Sequence, residues 1–555
     1  MDVKSSLQAV IQDALHKAIE KGQLPVGEYP EILLEEPPNK EFGDFSSNIA
    51  MQSAKVARKA PRMIGEAIAA EIEEPWIEKV EIAGAGFLNF YVKSDLIYGT
   101  LATILGAEGT YGNHPLREED SVLVEYVSAN PTGLLHVGHG RGAAYGSAVV
   151  NLMKAAGYKV DAEYYINDAG NQIDNLGKSI NARYLELLDL PNTFPEDGYR
   201  GPDIIKTAQD LINFRGDMYA VMEDDMRISF FKEFGLSEKL NSLRKTLRDF
   251  RVVFDRWYSE RTLHRSGKIE EEALLLEDMG YGYRSEDGAL WLKTTDFGDD
   301  KDRVVLRDNG VPTYFAADIA YHHEKYLRGY KQIIDIWGAD HHGYIARVHA
   351  AMQMLGHNPK KLEILLMQMV ALFRDGESVK MSKRAGTAVP LQELIDEVGI
   401  DATRYFFLMR SPDSQLDFDV ELAKKKSAEN PVYYIQYAHA RIFSIKKQLE
   451  EAGISVRPWE EIDFSVLQEE GEIDLIKKLS AYEELIEKAA RQRAPHRIAT
   501  YLYELASEFH SLYKQARIMG VSEEVQQARI GLFTAVRYVL AHGLSILGIS
   551  APEHM

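Results

Sequence analysis

The run SVLVEYVSANPTGLLHVGHGRGAAYGSAVVNLMKAAGYKVDAEYYI, residues 121–166, decides the fold class. SVLVEYV (121–127) is β-branched and apolar, fit for a buried strand. SANPTGLLHVGHGRG (128–142) carries Pro and Gly and reads as a loop entering a helix that continues through AAYGSAVVNLMKAAG. Gly157 is placed to stop that helix, because glycine adopts the left-handed conformation found just past many helix ends. YKVDAEYYI (158–166) predicts the next strand. Strand, loop, helix, strand is a βαβ unit of a parallel sheet.

Working outward, residues 1–115 mix helical periodicity with alternating stretches. VEIAGAGFLNFYV (80–92) reads as strand, Gly-rich turn and strand, and GAEGTYGNHPLREED (106–120) as a linker. Residues from about 170 to 300 look like a helical insertion. The α/β core is expected to resume with RVVLRDNGVPTYFAADIAYHHEKY (303–326) and IIDIWGADHHGY (333–344), and LEILLMQMVALF (362–373) predicts one strand. From about 430 to the end, successive amphipathic helices predict a bundle. The expected class is α/β: a Rossmann-like parallel-sheet domain (116–390), an N-terminal α+β domain (1–115), a connecting segment (391–430) and a C-terminal all-α helix bundle (431–555).

Of the 555 residues, 45% are hydrophobic and 27% charged, enough to build several cores. No apolar run approaches the ~18 residues of a membrane span, and the N-terminus lacks the apolar stretch of a secretory signal. There are no cysteines, which excludes disulfides and thiolate zinc sites and fits a cytoplasmic setting. The net charge of −21 argues against a general nucleic-acid binder, though local basic clusters remain compatible with one.

Two short motifs carry chemistry. His136-Val137-Gly138-His139 follows a strand and opens a helix, where main-chain N–H groups and the helix dipole attract phosphate. Histidines three apart on a helix share a face and can donate to developing negative charge, while Gly138 permits close approach. Lys380-Met381-Ser382-Lys383 sits on a Gly-flanked loop, where two ammonium groups suit a mobile clamp on a triphosphate. Each alone has a plain alternative, a helix start with half-exposed histidines and a solvated basic loop. Together, in this order and setting, they resemble the two signature motifs of class I aminoacyl-tRNA synthetases.

VEYVSANPTGLLHVGH (124–139), AGAGFLNF (83–90), GVPTYFAADIAYH (310–322), SAENPVYYIQYAHARI (427–442) and the C-terminal GLSILGISAPEHM resemble arginyl-tRNA synthetases in particular, so that the likeness runs over the whole chain. The resemblance implies activation of L-arginine by ATP, entering with Mg2+ and with no tightly bound protein cofactor. Pyrophosphate leaves and arginine passes to the 3′ end of tRNA(Arg). It implies catalysis and ATP binding by His136, Gly138, His139, Lys380 and Lys383, with Met381 and Ser382 also at the ATP. The histidine-motif region is Ala129, Asn130, Pro131, Thr132, Gly133, Leu134, Leu135, His136, Val137, Gly138 and His139. It places Tyr314 and Asp318 at the guanidinium, which wants a planar carboxylate partner. Ser128 and Asn130 fall beside the substrate's amino and carboxylate groups, Glu125 behind them, and His139 against both substrates. His341 is assigned to arginine with the choice among Asp340, His341 and His342 open, and no metal site is expected. Arg384 stands where the commonest form of the lysine motif has Ser.

The resemblance also implies that the N-terminal domain contacts tRNA and that the bundle binds the anticodon, with a monomeric enzyme expected. Lys424-Lys425-Lys426, Arg441 with Lys446-Lys447, and Arg491 with Arg493 are candidate RNA contacts. Tyr433, Tyr434, Tyr437, Tyr501 and Tyr513 are candidate base platforms, although aromatics at helical spacing equally suit a core. A small-molecule nucleotidyltransferase shares the histidine motif but is usually one α/β domain. A non-catalytic tRNA-binding relative would be expected to lose the charged motif residues, and they are present.

Overall fold

The computed structural model describes residues 3–35, 37, 39–379 and 388–555. Its centre is a five-stranded, wholly parallel sheet built from β1 (Arg117–Glu125), β2 (Tyr158–Ile166), β3 (Arg256–Ser259), β4 (Gln332–Gly338) and β5 (Leu362–Met367). Across the sheet the order is β5-β4-β1-β2-β3. Read from β3, this is the 3-2-1-4-5 order of a doubly wound sheet, reversing direction between β1 and β4. Val122–Glu125 register against Gln332–Asp335 on one side and Val160–Glu163 on the other.

Helix α1 (Val137–Ala155) is the crossover from β1 to β2, and 14 of its residues are buried. It is apolar nearly all round because sheet and bundle both pack on it. Gly157 stops it as the sequence predicts. Its φ is +84°, and an added Cβ would lie 2.4 Å from the Pro115 carbonyl oxygen, so conformation and space both demand glycine.

Three expectations are corrected. The linker reading of 106–120 runs too far: the helix Ser94–Gly106 precedes it and β1 begins at Arg117. The core sheet regains a strand at Arg256–Ser259, well before 303. Arg303–Leu306 instead edges a small antiparallel sheet with Gly282–Arg284 and Leu290–Leu292. The run 362–373 is two strands, because the chain leaves the main sheet at Met367 and Val370–Arg374 pairs in parallel with Leu416–Asp419. The insertion contains helices Asn171–Leu187, Pro202–Arg215 and Asp224–Asp249, which close their own core around Leu176, Ile180, Tyr184, Leu211 and Phe231.

In the N-terminal unit helix Pro61–Ala69 packs both on helix Val3–Glu20 and on the antiparallel strands Ile77–Ala83 and Phe87–Val92, with Leu7, Ile11, Ile64, Leu88 and Phe90 inside. A cleft of about 880 Å3 lies between this unit and the bundle. It is spanned by the Lys477–Asp44 pair and by Lys4–Glu484 at 3.2 Å. The bundle comprises the long helices Pro431–Glu451, Pro495–Gln515 and Glu523–Ile546 with shorter ones between. One continuous apolar cluster runs from Val122 and Val124 of β1 through Ala148 and Val149 of α1 to Leu502, Val536 and Leu540 of the bundle.

Fully buried Arg404 helps hold this junction. Its guanidinium donates to the Leu547 and Phe250 carbonyls at 2.8 and 2.9 Å and to Ser147 Oγ at 2.8 Å. Burial lowers its pKa to about 10.

Candidate active site

Connections leave the sheet in opposite directions on either side of β1. The crevice at the C-terminal ends of β1 and β4 is therefore the switch point at which open α/β sheets bind ligands. Most of the residues the sequence singles out gather on the segments that leave these two ends.

The chain turns sharply after β1. Val127 and Ser128 have φ of +69° and +38°, and the Ser128 N–H reaches back to the Tyr126 carbonyl at 3.0 Å. A positive φ at a β-branched residue is strained by about 1–3 kcal/mol. The turn brings the Ser128 hydroxyl to Glu125, to which it donates at 2.8 Å while accepting from the Tyr165 N–H at 3.1 Å. Asn130 donates to Gln172 Oε1 at 2.8 Å, so the insertion's first helix borders the site. Ala129 is anchored by the Tyr164 hydroxyl, 2.8 Å from its carbonyl.

His136 is the N-cap of α1, and its main-chain N–H donates to His139 Nδ1 at 3.3 Å. Nδ1 is the acceptor in that bond, so the ring proton of His139 sits on Nε2. The two imidazoles stack, with centroids 3.6 Å apart. His136 folds over Gly138, where an added Cβ would stand 3.1 Å from its Cε1. The histidines thus sit side by side at a helix N-terminus, a kind of site that attracts anions.

Lys380, Met381, Ser382 and Lys383 lie outside the described residues, as does Arg384. Where the described chain resumes, it meets the histidine motif. The Val137 N–H donates to the Val389 carbonyl at 3.1 Å and the Leu391 N–H to the Leu135 carbonyl at 2.8 Å. Arg141, one turn into α1 and almost wholly buried, donates to the carbonyls of Gln368, Ser411 and Ser414 at 2.8–2.9 Å. It fastens the motif helix to the loops beyond β5.

Helix α2 (Tyr314–Leu327) supplies the guanidinium candidates. It is capped by Thr313, whose hydroxyl oxygen accepts from the Ala316 N–H. Tyr314 is exposed on its first turn, and Asp318 follows one turn later on the same face. The Tyr344 hydroxyl donates to Asp318 Oδ2 at 2.6 Å. Burial pushes the Asp318 carboxyl above its ordinary value, and the Tyr344 hydrogen bond and nearby His322 pull it back. His341 lies exposed in the turn Ala339–Tyr344, its ring 6.4 Å from that of Trp337 and its Nε2 3.7 Å from Asp340. From that turn it is Tyr344 that touches Asp318, a residue the sequence reading passed over.

Behind these groups lies a buried charge network. Glu125 accepts from the Tyr321 hydroxyl at 2.9 Å and pairs with Lys325. Lys325 is fully buried and donates to both oxygens of Asp335 on β4, at 2.8 and 2.9 Å. Burial opposes ionisation of Asp335, but the Lys325 charge and His322 outweigh it and hold the carboxyl at about 2. Glu163 on β2 accepts from Arg328 at 2.5 and 2.9 Å and from Tyr321 at 2.6 Å. None of Lys325, Asp335, His322, Glu163 or Arg328 was singled out from sequence. The available signal was Asp318, His322 and Lys325 at i, i+4 and i+7, a charged stripe on one face of a helix rich in apolar residues.

On the bundle, Arg441 lies over the rings of Tyr437 and Tyr513 at 4.5 and 5.0 Å and donates to the Tyr437 hydroxyl at 2.9 Å. Tyr433 and Tyr437 stack with centroids 6.3 Å apart, and Tyr434 packs on His510. Two candidates are corrected here. Tyr501 is buried, stacked on Tyr482, with its hydroxyl given to the Lys478 carbonyl, so it is core. Arg493 is buried too, and bonds Gln332 and Glu363 at the edge of the main sheet instead of facing solvent. Lys424 and Lys425 are paired with Glu397 and Glu429.

The chain matches the family described as arginyl tRNA synthetase N terminal domain over residues 5–92. It matches tRNA synthetases class I (R), catalytic domain, over 100–187 and 268–425, and DALR anticodon binding domain over 435–555. It is 50% identical over 556 residues to the arginine–tRNA ligase of Desulforamulus reducens, covering 100% of this chain and 99% of that one. The chain belongs to the arginyl-tRNA synthetase family. To the arginine–tRNA ligase of Bacillus subtilis it is 46% identical, over 100% of both chains. The fold is shared with the Thermus thermophilus arginyl-tRNA synthetase structure, at a TM-score of 0.76 and 24% identity over 100% of both chains. No helix among the described residues is long and apolar enough to cross a membrane.

Proposed function

We propose that the arginine pocket of this family member is formed by Asp318 and Glu125, with Tyr314 at its rim, and that the stacked histidines take the ATP phosphates. The chain is an arginine–tRNA ligase. The arginine carboxylate attacks the α-phosphorus of ATP, pyrophosphate leaves, and the arginyl group passes from the adenylate to the 3′-terminal ribose of tRNA. No protein nucleophile is needed, so catalysis is positioning and charge stabilisation.

The observation that carries the pocket is Asp318, a carboxylate enclosed at the switch point and oriented by Tyr344. A guanidinium supplies the cation and the paired donors that such a carboxylate lacks. Ser128, Asn130 and His341 would serve the α-amino and carboxylate ends. Lys380 and Lys383, with Met381 and Ser382 between them, would clamp the pyrophosphate. Magnesium is proposed to enter as part of the ATP substrate. The Tyr433–Tyr437–Arg441 surface is the proposed anticodon platform, and the N-terminal unit a second tRNA contact. The enzyme is proposed to act as a cytoplasmic monomer.

ATP–pyrophosphate exchange measured across the amino acids, with and without tRNA, tests the assignment. Exchange with arginine and with no other amino acid is expected. Exchange driven by a different amino acid would overturn it.

A further inference from the structure

The two carboxylates of the proposed pocket stand on different elements, Glu125 at the end of β1 and Asp318 on α2, yet one unbroken chain of contacts joins them. Lys325 pairs with Glu125 and donates to Asp335. Asp335 Oδ2 lies 3.0 Å from His322 Nε2. His322 Nδ1 lies 2.7 Å from the main-chain oxygen of Asp318. His322, Lys325 and Asp335 are all buried, so water does not stand in for any of these bonds.

The hydrogen-bond inventory fixes the role of His322. A main-chain carbonyl only accepts, so Nδ1 must donate to Asp318. An ionised carboxylate also only accepts, and Asp335 is kept ionised by Lys325, so Nε2 must donate as well. The ring therefore spends both nitrogens as donors. Glu163 and Arg328 pair beside this chain of contacts. Tyr321, whose ring centroid lies 5.7 Å from that of His322, and His349 on the helix Ile345–Met354 are further titratable groups near it.

We propose that His322 is a positioning residue for arginine, the double donor that ties the Asp318 turn to β4 and so fixes the spacing of the two pocket carboxylates. This rests on the assignment of Asp318 to the guanidinium. His322 touches no substrate itself. It acts by holding Asp318.

The test measures steady-state tRNA charging for His322→Phe, His322→Gln, Asp335→Asn and the double variant His322→Phe/Asp335→Asn, with Asp318→Ala as control. His322→Phe keeps the ring volume and loses both donors, and the arginine KM is expected to rise about tenfold or more, with ATP KM within about twofold of wild type. His322→Gln keeps one donor and is expected to fall between, which also covers the case in which the Phe variant folds poorly. Because the two residues form one link, the double variant should exceed the worse single variant by no more than about twofold. Unchanged arginine KM in both His322 variants, multiplicative effects in the double variant, or equal rises in arginine and ATP KM would each overturn the inference while Asp318→Ala still raises arginine KM. If Asp318→Ala leaves arginine KM unchanged, the pocket assignment falls and this inference with it.

Discussion

Tyr344, in the turn that follows β4, gives its hydroxyl proton to Asp318 on α2 at 2.6 Å, so the carboxylate proposed to read the guanidinium is held from a second element. Removing that hydroxyl by Tyr344→Phe leaves the fold intact and unties Oδ2. A hydrogen bond to a charged group is worth about 1.5–3 kcal/mol. Arginine KM is therefore expected to rise about tenfold, with ATP KM unchanged in steady-state charging. An arginine KM equal to wild type would remove Tyr344 from the pocket.

The same carboxyl sets an acid limit. Burial raises Asp318 above its ordinary value of 3.8, and arginine needs it ionised. Arginine KM should therefore rise as pH falls through that raised value, before ordinary surface carboxylates titrate. In Tyr344→Phe the bond that favours the ionised form is gone, so the acid limb should move to higher pH. Asp335 titrates the other way. Its folded-state pKa is depressed to about 2, so its contribution to stability is present above the unfolded value of about 3.9 and is lost as pH falls towards 2. Acid unfolding curves of Asp335→Asn and wild type should converge in that window. Arginine KM profiles from pH 5 to 8 and unfolding from pH 5 to 2 separate the two groups.

The turn at Val127 predicts an inverted substitution order. At ordinary strand positions Ala is more stable than Gly by about 0.5–1 kcal/mol. At φ +69° that order should reverse, with Val127→Gly more stable than Val127→Ala by about 1 kcal/mol in urea unfolding. Both lose the γ-methyl packing and differ only in Cβ, so their difference reads chiefly the backbone. An Ala variant more stable than the Gly variant would show the turn to be relaxed.

On the bundle, Arg441→Ala removes the cation over Tyr437 and Tyr513. If these rings carry anticodon bases, tRNA Kd should rise at least about fivefold, stacking being worth about 1–3 kcal/mol per base, with arginine KM unchanged at saturating tRNA. Filter binding or fluorescence titration would measure it. Tyr501→Phe should leave tRNA binding alone, because Tyr501 is core.

Arg404→Met tests the junction. It leaves the Leu547 and Phe250 carbonyls and Ser147 Oγ without this donor. Unsatisfied buried acceptors cost about 1–3 kcal/mol each, so a fall of about 3 kcal/mol or more in unfolding free energy is expected. A change under 1 kcal/mol would mean that other groups or water replace the guanidinium.

Local patterns were legible where local rules decide the outcome. The strand 158–166 and the glycine that precedes it follow from β-branched and aromatic content and from one conformational demand, and the structure has both as read. Arg256–Ser259 was missed because four residues between long helices carry no period of their own. Arg303–Leu306 was assigned to the wrong sheet because a β-branched run names a strand without naming its neighbour. The histidine motif could be reasoned from phosphate chemistry. Asp318 was located through resemblance, and its partners Tyr344, His322 and Lys325 were not located at all. Buried ion pairs such as Lys325–Glu125 span 200 positions in sequence, and each member alone reads as a solvated surface charge. Arg493 and Tyr501 failed for the converse reason: residue types suited to RNA contact serve equally well as interdomain ties and core.

The apolar cluster that runs without a break from β1 through α1 into the bundle bears on how this chain comes apart. The catalytic family match ends at residue 425 and the anticodon-binding match begins at 435. Thermodynamic cooperativity need not respect that seam. Detaching the bundle would expose the buried outer face of α1, whose N-terminus holds the histidines, so the two regions should melt in the calorimeter as one.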